Sequence, residues 1–98
     1  MTIKKAANGS ALTLSLEGRL DTTTAPELEL FLKEALSGVT DLTFDFKKLE
    51  YISSAGLRVL LSAQKIMNMQ GEMKITGVSD AIMEIFEVTG FSDILNIV

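Results

Sequence analysis

The chain has 98 residues, of which 47% are apolar and 22% are charged, a composition typical of one globular domain. We therefore expect residues 1–98 to form a single domain. The net charge of −4 disfavours nucleic acid as a direct partner, because phosphate binding requires a basic surface. The absence of cysteine and histidine excludes disulfides, histidine-based triads and zinc sites built on these residues. No apolar run approaches the roughly 18 residues of a membrane span, which predicts a cytoplasmic protein without membrane insertion.

Residues 2–17 are predicted to form an N-terminal β-hairpin. Asn8-Gly9 is a strong hairpin signal, because both central positions of a type I′ turn require positive φ. Between residues 12 and 17, leucines alternate with polar residues as in a half-buried strand. The preceding strand, around Ile3–Ala7, carries two lysines, which suits the edge of a sheet.

A loop and an amphipathic helix follow the hairpin. Gly18 is expected to end the second strand, so that residues 18–24 form the loop. Asp21 in this loop fits a local role, either in an Asx-type turn or as a solvated charge ahead of the helix. Thr24 and Glu27 have the spacing of a capping box, and the apolar residues beyond them recur at helical spacing.

The second half of the chain predicts alternating strands and helices. Residues 42–46 alternate as a strand should, and residues 49–52 are expected to form the end of a loop. A strand at residues 73–76 follows the second helix, which implies a parallel crossover. A third helix begins at Ser79 or Asp80, and a short strand at residues 95–98 would be the fifth. The predicted fold class is α/β, a mixed β-sheet of four to five strands with α-helices packed on it.

The stretch from residue 49 to residue 70, LEYISSAGLRVLLSAQKIMNMQ, is the most informative. Serine is favoured just before a helix, because its oxygen accepts an otherwise unpaired backbone N–H. If Ser53 caps the helix, Ser54 is the first helical residue and its hydroxyl faces outward. A hydroxyl there can carry a phosphate, since helix N-termini stabilise anions. A capping serine above a solvated helix face would explain the same residues without any function.

Helical periodicity divides this segment into two sides at about 100° per residue. The side that we assign to the core carries Val59, Leu60, Ala63, Ile66 and Met67. The opposite side carries Ser54, Arg58, Leu61, Ser62 and Lys65. Ser54 therefore heads a mixed stripe that contains two cations.

ISSAGLRVLLSAQK, with LEGRLDTTTAPEL upstream, resembles the STAS domain of bacterial anti-sigma factor antagonists. In that family an Asp-Ser-Ser-Gly-Leu motif opens a helix, and its first serine is phosphorylated by a kinase that is also the anti-sigma factor. Ser54 matches that serine. Ser53 stands where the family has aspartate, which makes it the alternative acceptor, and Ala55 replaces the second serine. The resemblance implies a single STAS domain, a β-α superhelix with an N-terminal hairpin.

The resemblance also implies a function. The chain would bind an anti-sigma factor serine kinase, release a sigma factor, and be switched off by phosphorylation of Ser54, which a phosphatase would reverse. The sequence contains no P-loop and no evident activated nucleophile, so we expect a binding module without a cofactor or metal and not an enzyme. The alternative is a STAS accessory subunit of a transport system or another phospho-regulated signalling scaffold.

The predicted partner-binding surface combines the loop after the second strand with the helix that Ser54 opens. An aspartate at the place of Asp21 lies near the phosphorylation site in the family and affects partner binding. Both segments follow strands that should run parallel, so both should lie at one edge of the sheet. The residues of this surface are Asp21, Thr22, Ser53, Ser54, Gly56, Leu57, Arg58, Leu61 and Lys65.

Overall fold

The computed structural model describes all residues, Met1–Val98, as four strands, three α-helices and a short 3₁₀-helix. The strands are β1 (Thr2–Asn8), β2 (Ala11–Leu20), β3 (Asp41–Ile52) and β4 (Glu72–Thr76). The α-helices are α1 (Ala25–Ala35), α2 (Ser54–Gln70) and α3 (Asp80–Thr89), and the 3₁₀-helix spans Phe91–Asp93. None of the helices has the length and apolarity needed to cross a membrane.

The four strands form one mixed sheet in the order β1-β2-β3-β4. β1 and β2 pair antiparallel, whereas β2 with β3 and β3 with β4 pair parallel. The predicted α/β class, the N-terminal hairpin and the parallel crossover through α2 are therefore confirmed. The expected fifth strand is reduced to a single bridge between Ile75 and Ile97 at the free edge of β4.

The sheet is covered by helices on one face only. Along β2 and β3, alternate side chains are buried and the intervening ones are half-buried or exposed. On the covered face, Phe46 contacts Phe44 on its own strand and Phe86 of α3, with ring centroids 5.9 and 6.5 Å apart. A one-sided sheet explains why the central strands alternate, since only one face is removed from water.

β2 and β3 both extend further than the sequence predicted. Gly18 does not end β2, which continues to Leu20, and the residues at 49–52 are strand and not loop. Two irregularities in the β2–β3 pairing each place one more residue on β3 than on β2. Such bulges shift the alternation, so Leu49 is buried although it is an odd number of residues after Phe46. A prediction based on a strict alternation of two therefore ends the strand before residue 49.

The hairpin turn is also displaced from its predicted position. Asn8 pairs with Ala11 and remains in the strand, so the loop consists of Gly9 and Ser10. Of these two, only Gly9 has positive φ, at 62°. A type I′ turn requires positive φ at both positions, whereas a type II′ turn requires it only at the first. The predicted type I′ turn is therefore wrong.

The core side of α2 is predicted correctly except at one residue. Leu60 and Met67 are fully buried and Ala63 nearly so, but Ile66 is 40% exposed. Ile66 lies at the margin of the buried face, where it lines a groove between α1 and α2 with Leu32 of α1. At the end of α2, the Gln70 amide donates to the carbonyl oxygens of Leu36 and Val39 at 2.6 and 2.7 Å. These bonds fix the end of α2 to the segment that follows α1.

Leu60→Ala should lower the free energy of unfolding by roughly 2–5 kcal/mol, because it leaves a cavity at a fully buried position. Arg58→Ala, two residues earlier on the exposed side, should change it by no more than about 0.5 kcal/mol. Urea denaturation of the two variants measures both values. A larger loss for Arg58→Ala would mean that the rotation of α2 about its axis is wrong.

Candidate phosphorylation and docking site

The carboxyl ends of β2 and β3 lie side by side at one edge of the sheet. Leu20 pairs with Ile52, and the Ser53 N–H donates to the Leu20 carbonyl oxygen at 2.9 Å. Asp21 follows Leu20 directly, just as Ser53 follows Ile52. The predicted placement of both segments at a common edge is therefore confirmed, and any surface that they share is built from two parallel strand ends.

The start of α2 presents Ser54 to solvent. Ser53 is the N-cap in an extended conformation, and its Oγ accepts a hydrogen bond from the Gly56 N–H at 3.3 Å. Ser54 is then the first helical residue, and it is exposed with no hydrogen bond from its hydroxyl to the chain. This confirms the predicted cap and first helical residue. The outward hydroxyl is accessible to an incoming phosphoryl group.

Gly56 and Leu57 lie beneath this surface and not on it. Leu57 is only 5% exposed and belongs to the core. A Cβ at Gly56 would lie 2.7 Å from Leu20 Cγ and 2.9 Å from Ile52 Cγ1, so the absence of a side chain lets α2 approach the strand ends. The prediction that both residues form part of the docking surface is therefore wrong. Their spacing of three and four residues before Leu60 already places them on the buried face.

Further along α2, the exposed side is as predicted. Arg58 and Lys65 are exposed, Leu61 is half-buried between them, and Met69 beyond them is 90% exposed. Neither cation forms an ion pair with the chain, because the ion pairs of this structure join Lys4 to Glu17 and Arg19 to Asp21. The stripe thus offers unpaired positive charge next to apolar surface.

Asp21 organises the turn between β2 and α1. Its Oδ1 accepts from the backbone N–H of Thr23 at 3.0 Å and of Thr24 at 3.2 Å, and from the Thr23 hydroxyl at 2.8 Å. Its backbone carbonyl accepts from the Ala25 N–H at 2.8 Å. Asp21 therefore fills the local turn role that the sequence also allowed, and its second carboxylate oxygen, Oδ2, lies on the side of Arg19.

These bonds also show that the predicted capping box does not form. Thr24 is the N-cap of α1, but it has a helical conformation and its side chain makes no bond to the first turn of the helix. The Thr24 hydroxyl instead donates to the Arg19 carbonyl oxygen at 2.8 Å and accepts from the Asp21 N–H at 2.8 Å. Thr24 is therefore bonded to Asp21, through the Asp21 N–H and the Asp21 carboxylate, and not to Glu27.

The same contacts keep Asp21 ionised. The hydrogen bond from the Thr23 hydroxyl is the largest cause that lowers the Asp21 pKa. Desolvation is the next largest and opposes it, while the backbone N–H groups of Thr24 and Thr23 and the Thr24 side chain lower the pKa further. Thr22, the remaining loop residue of the predicted surface, is exposed and forms no side-chain hydrogen bond. The edge thus carries a fixed negative charge beside the free hydroxyl of Ser54.

Arg19 and Tyr51 also belong to this edge, although neither was predicted to do so. They pair across β2 and β3, and the Arg19 guanidinium lies over the Tyr51 ring, 4.3 Å from its centroid. Arg19 Nε is 3.7 Å from Asp21 Oδ2. The pairing depends on the second bulge of β3, so the alternation of the sequence gives no signal for it.

The chemistry open to this edge is limited by what the chain supplies. No group of three or more acidic side chains is arranged to hold a metal ion. The Ser54 hydroxyl has no base hydrogen-bonded to it. The arrangement therefore provides an accessible hydroxyl, a fixed carboxylate and a stripe of unpaired cations, which suits modification and protein recognition.

Comparison with known proteins places this one-sided α/β domain in a family. The family model described as "Mlab, STAS domain" matches residues 3–97. The anti-sigma-B factor antagonist of Staphylococcus aureus (strain NCTC 8325 / PS 47) is 35% identical over 82 residues, which cover 82% of this chain and 76% of that protein. The chain therefore belongs to the STAS domain family, among its anti-sigma factor antagonists.

Solved structures with low sequence identity share the fold. The anti-sigma factor antagonist SpoIIAA in its unphosphorylated form has a TM-score of 0.77 at 15% identity, covering 99% of this chain and 87% of that chain. The Bacillus cell fate determinant SpoIIAA in its phosphorylated form also has a TM-score of 0.77, at 16% identity, covering 99% of this chain and 91% of that chain. A sulfate transporter family protein from Wolinella succinogenes has a TM-score of 0.79 at 18% identity, with 94% and 76% covered.

The Asp21 carboxyl should titrate below the ordinary value of 3.8, because its hydrogen bonds favour the charged form. Its contribution to stability is then present above the unfolded-state pKa and is lost as the pH falls through the lower folded-state pKa. Side-chain carboxyl chemical shifts followed by NMR against pH measure the midpoint. Thr23→Val should raise it, whereas Thr22→Val should leave it unchanged; a wild-type midpoint at or above 3.8 would contradict the assignment.

Proposed function

We propose that the chain is a phosphorylation-controlled binding module of a partner-switching pathway. In its unphosphorylated form it binds an anti-sigma factor serine kinase and thereby releases a sigma factor. The kinase transfers a phosphoryl group from its own bound ATP to Ser54, which ends the complex, and a phosphatase restores the hydroxyl. The observation that carries this proposal is the exposed, unbonded Ser54 hydroxyl at the first residue of α2, next to the ordered Asp21 turn.

The choice of Ser54 over Ser53 is supported by their different roles at the helix start. Ser53 Oγ already accepts the Gly56 N–H, and loss of an N-cap of this kind costs about 1 kcal/mol. The Ser54 hydroxyl makes no such bond, so its modification breaks nothing in the fold. A kinase can therefore modify Ser54 at no cost to the helix, whereas phosphate on Ser53 would disturb the cap.

The docking surface that we propose is smaller than the one predicted from the sequence. It keeps the exposed and half-buried residues of the sheet edge and of the α2 stripe, and it leaves out the buried Gly56 and Leu57. Its members are Asp21, Thr22, Ser53, Ser54, Arg58, Leu61 and Lys65. The stripe carries two unpaired cations, so the facing surface of the kinase should be acidic around an apolar contact for Leu61.

The size of the electrostatic effects indicates how the switch works. A helix N-terminus stabilises an exposed anion by only about 0.3–1 kcal/mol, whereas a tenfold loss of affinity corresponds to about 1.4 kcal/mol. A phosphate adds a charge of about −1.5 to −2 directly to the surface that meets the acidic partner. Repulsion and steric conflict between the phosphate and the kinase surface must therefore account for most of the loss of affinity. The solved structures of SpoIIAA in its unphosphorylated and phosphorylated forms both share the fold of this chain, so a phosphorylated protein can keep this fold.

This activity would take place in the cytoplasm, where sigma factors act, and it needs no direct contact with nucleic acid or with the membrane. The domain would be a regulator and not an enzyme, because the kinase supplies both the nucleotide and the catalytic groups. No cofactor enters the proposed cycle.

A second candidate function is that of an accessory subunit in a transport system. It is suggested by the name of one protein that shares this fold, the sulfate transporter family protein from Wolinella succinogenes. Neighbouring genes discriminate between the two functions. Genes for a histidine-kinase-like ATPase and a sigma factor support the partner switch, whereas genes for an ABC transporter support the transport function.

Ser54→Ala should abolish phosphorylation by the cognate kinase with ATP, because it removes the exposed hydroxyl. Ser53→Ala should still be labelled, although its helix is less well capped. Mass spectrometry of the intact protein and of its peptides reads out both variants. Loss of the label in Ser53→Ala with retention in Ser54→Ala would identify Ser53 as the acceptor instead.

Ser54→Asp should weaken binding to the kinase at least tenfold, because it adds a negative charge at the centre of the docking surface, while Ser54→Ala should bind like the wild type. Ser37→Asp is a matched control, since Ser37 is exposed beyond the end of α1 at the opposite edge of the sheet. Isothermal titration calorimetry measures the three affinities. Equal affinities for Ser54→Asp and Ser54→Ala would contradict the proposal that negative charge at position 54 weakens binding.

A further inference from the structure

Arg58 is the only charged side chain of α2 within one turn of Ser54. It lies four residues after Ser54, and helical residues with this spacing are neighbours, with Cβ atoms about 5–6 Å apart. Lys65, the only other charged residue of α2, is eleven residues from Ser54 and so about 16 Å further along the axis. Arg58 can reach a phosphate on Ser54, and Lys65 cannot.

The Arg58 guanidinium has no anionic partner in the chain. Arg58 is exposed, takes part in neither of the two ion pairs, and α2 contains no acidic residue that could compete for it. Arg19, the other arginine at this edge of the sheet, is by contrast already held by Asp21 and Tyr51. A new anion at Ser54 would therefore find one unpaired arginine on its own helix.

We propose that phosphorylated Ser54 forms an ion pair with Arg58 within α2. This inference rests on the proposed phosphorylation of Ser54. An anion four residues before a cation is the favourable order on a helix. The guanidinium offers a planar set of donors that matches phosphate oxygens in a bidentate arrangement, which the ammonium of a lysine does not.

The pair changes what phosphorylation does to the docking surface. In the unphosphorylated domain, Arg58 is free to meet an acidic side chain of the kinase. In the phosphorylated domain, the same guanidinium is occupied by the phosphate. A single modification thus adds a negative charge and withdraws a positive one, so the phosphate should weaken binding less in an Arg58→Gln background than in the wild type.

The direct test is a ³¹P NMR titration of the full chain with phosphoserine incorporated at position 54 during synthesis. The other charged groups are unchanged in the comparison: Arg19, Asp21 and Glu50 near the carboxyl ends of β2 and β3, Glu27, Glu29 and Lys33 of α1, and Asp80 at the start of α3. The second ionisation of the phosphate should occur about 0.3 pH unit lower in the wild type than in Arg58→Gln. Lys65→Gln is the matched control and should titrate like the wild type.

Two results would overturn the pairing. One is an Arg58→Gln variant in which the phosphate titrates as in the wild type. The other is a higher titration midpoint of the phosphate in Arg19→Gln but not in Arg58→Gln. Because phosphoserine is incorporated without a kinase, the titration is independent of the proposed pathway. Failure of the kinase to label Ser54 would refute the pathway, whereas an unshifted midpoint in Arg58→Gln with labelling intact would refute only the ion pair.

Discussion

The close approach of α2 to the ends of β2 and β3 is the constraint on which the rest of the site depends. Gly56 allows it, because any side chain there would collide with Leu20 and Ile52. The hydrogen bond from the Ser53 N–H to the Leu20 carbonyl joins the same two segments. With the helix start fixed against the strand ends, Ser54 must emerge at the edge where the Asp21 turn also lies. The positions of the hydroxyl and the carboxylate therefore follow from backbone packing and not from any direct bond between them.

Some side chains of the site are held by hydrogen bonds within the domain, whereas others make no bonds to the chain. Asp21 is held by the N–H and hydroxyl groups of its own turn, and Ser53 is held by the cap. Ser54 and Arg58 make no side-chain bonds to the chain and can change partners without disturbing the fold. A switch built on free groups above a rigid base can be reset by a single covalent change. The energies of the helix terminus and of one ion pair are small, so the partner's surface decides the outcome.

Much of this could be predicted from the sequence, because the relevant signals are local. The serine cap, the helical period of α2 and the parallel strands follow from spacing, and they place Ser54 correctly. The errors arise where tertiary contacts override local rules. The bulges of β3 shift its alternation of buried and exposed residues, so a period of two does not predict its second half. Thr24 bonds to Asp21, so it does not form the predicted capping box with Glu27. The Arg19–Tyr51 contact depends on that bulged register. The misplacement of Leu57 is different, since the helical spacing was sufficient to assign it to the core.

In the proposed switch, modification of Ser54 changes the docking surface while the fold stays as it is. Amide NMR spectra of the chain with and without phosphoserine at position 54 test this most directly. We expect shifts confined to the first turns of α2 and the Asp21 turn, with hydrogen-exchange protection of β2, β3 and the core of α2 unchanged. Shifts spread across the sheet, or a loss of protection in the core of α2, would show that phosphorylation acts by rearranging the domain and would contradict it.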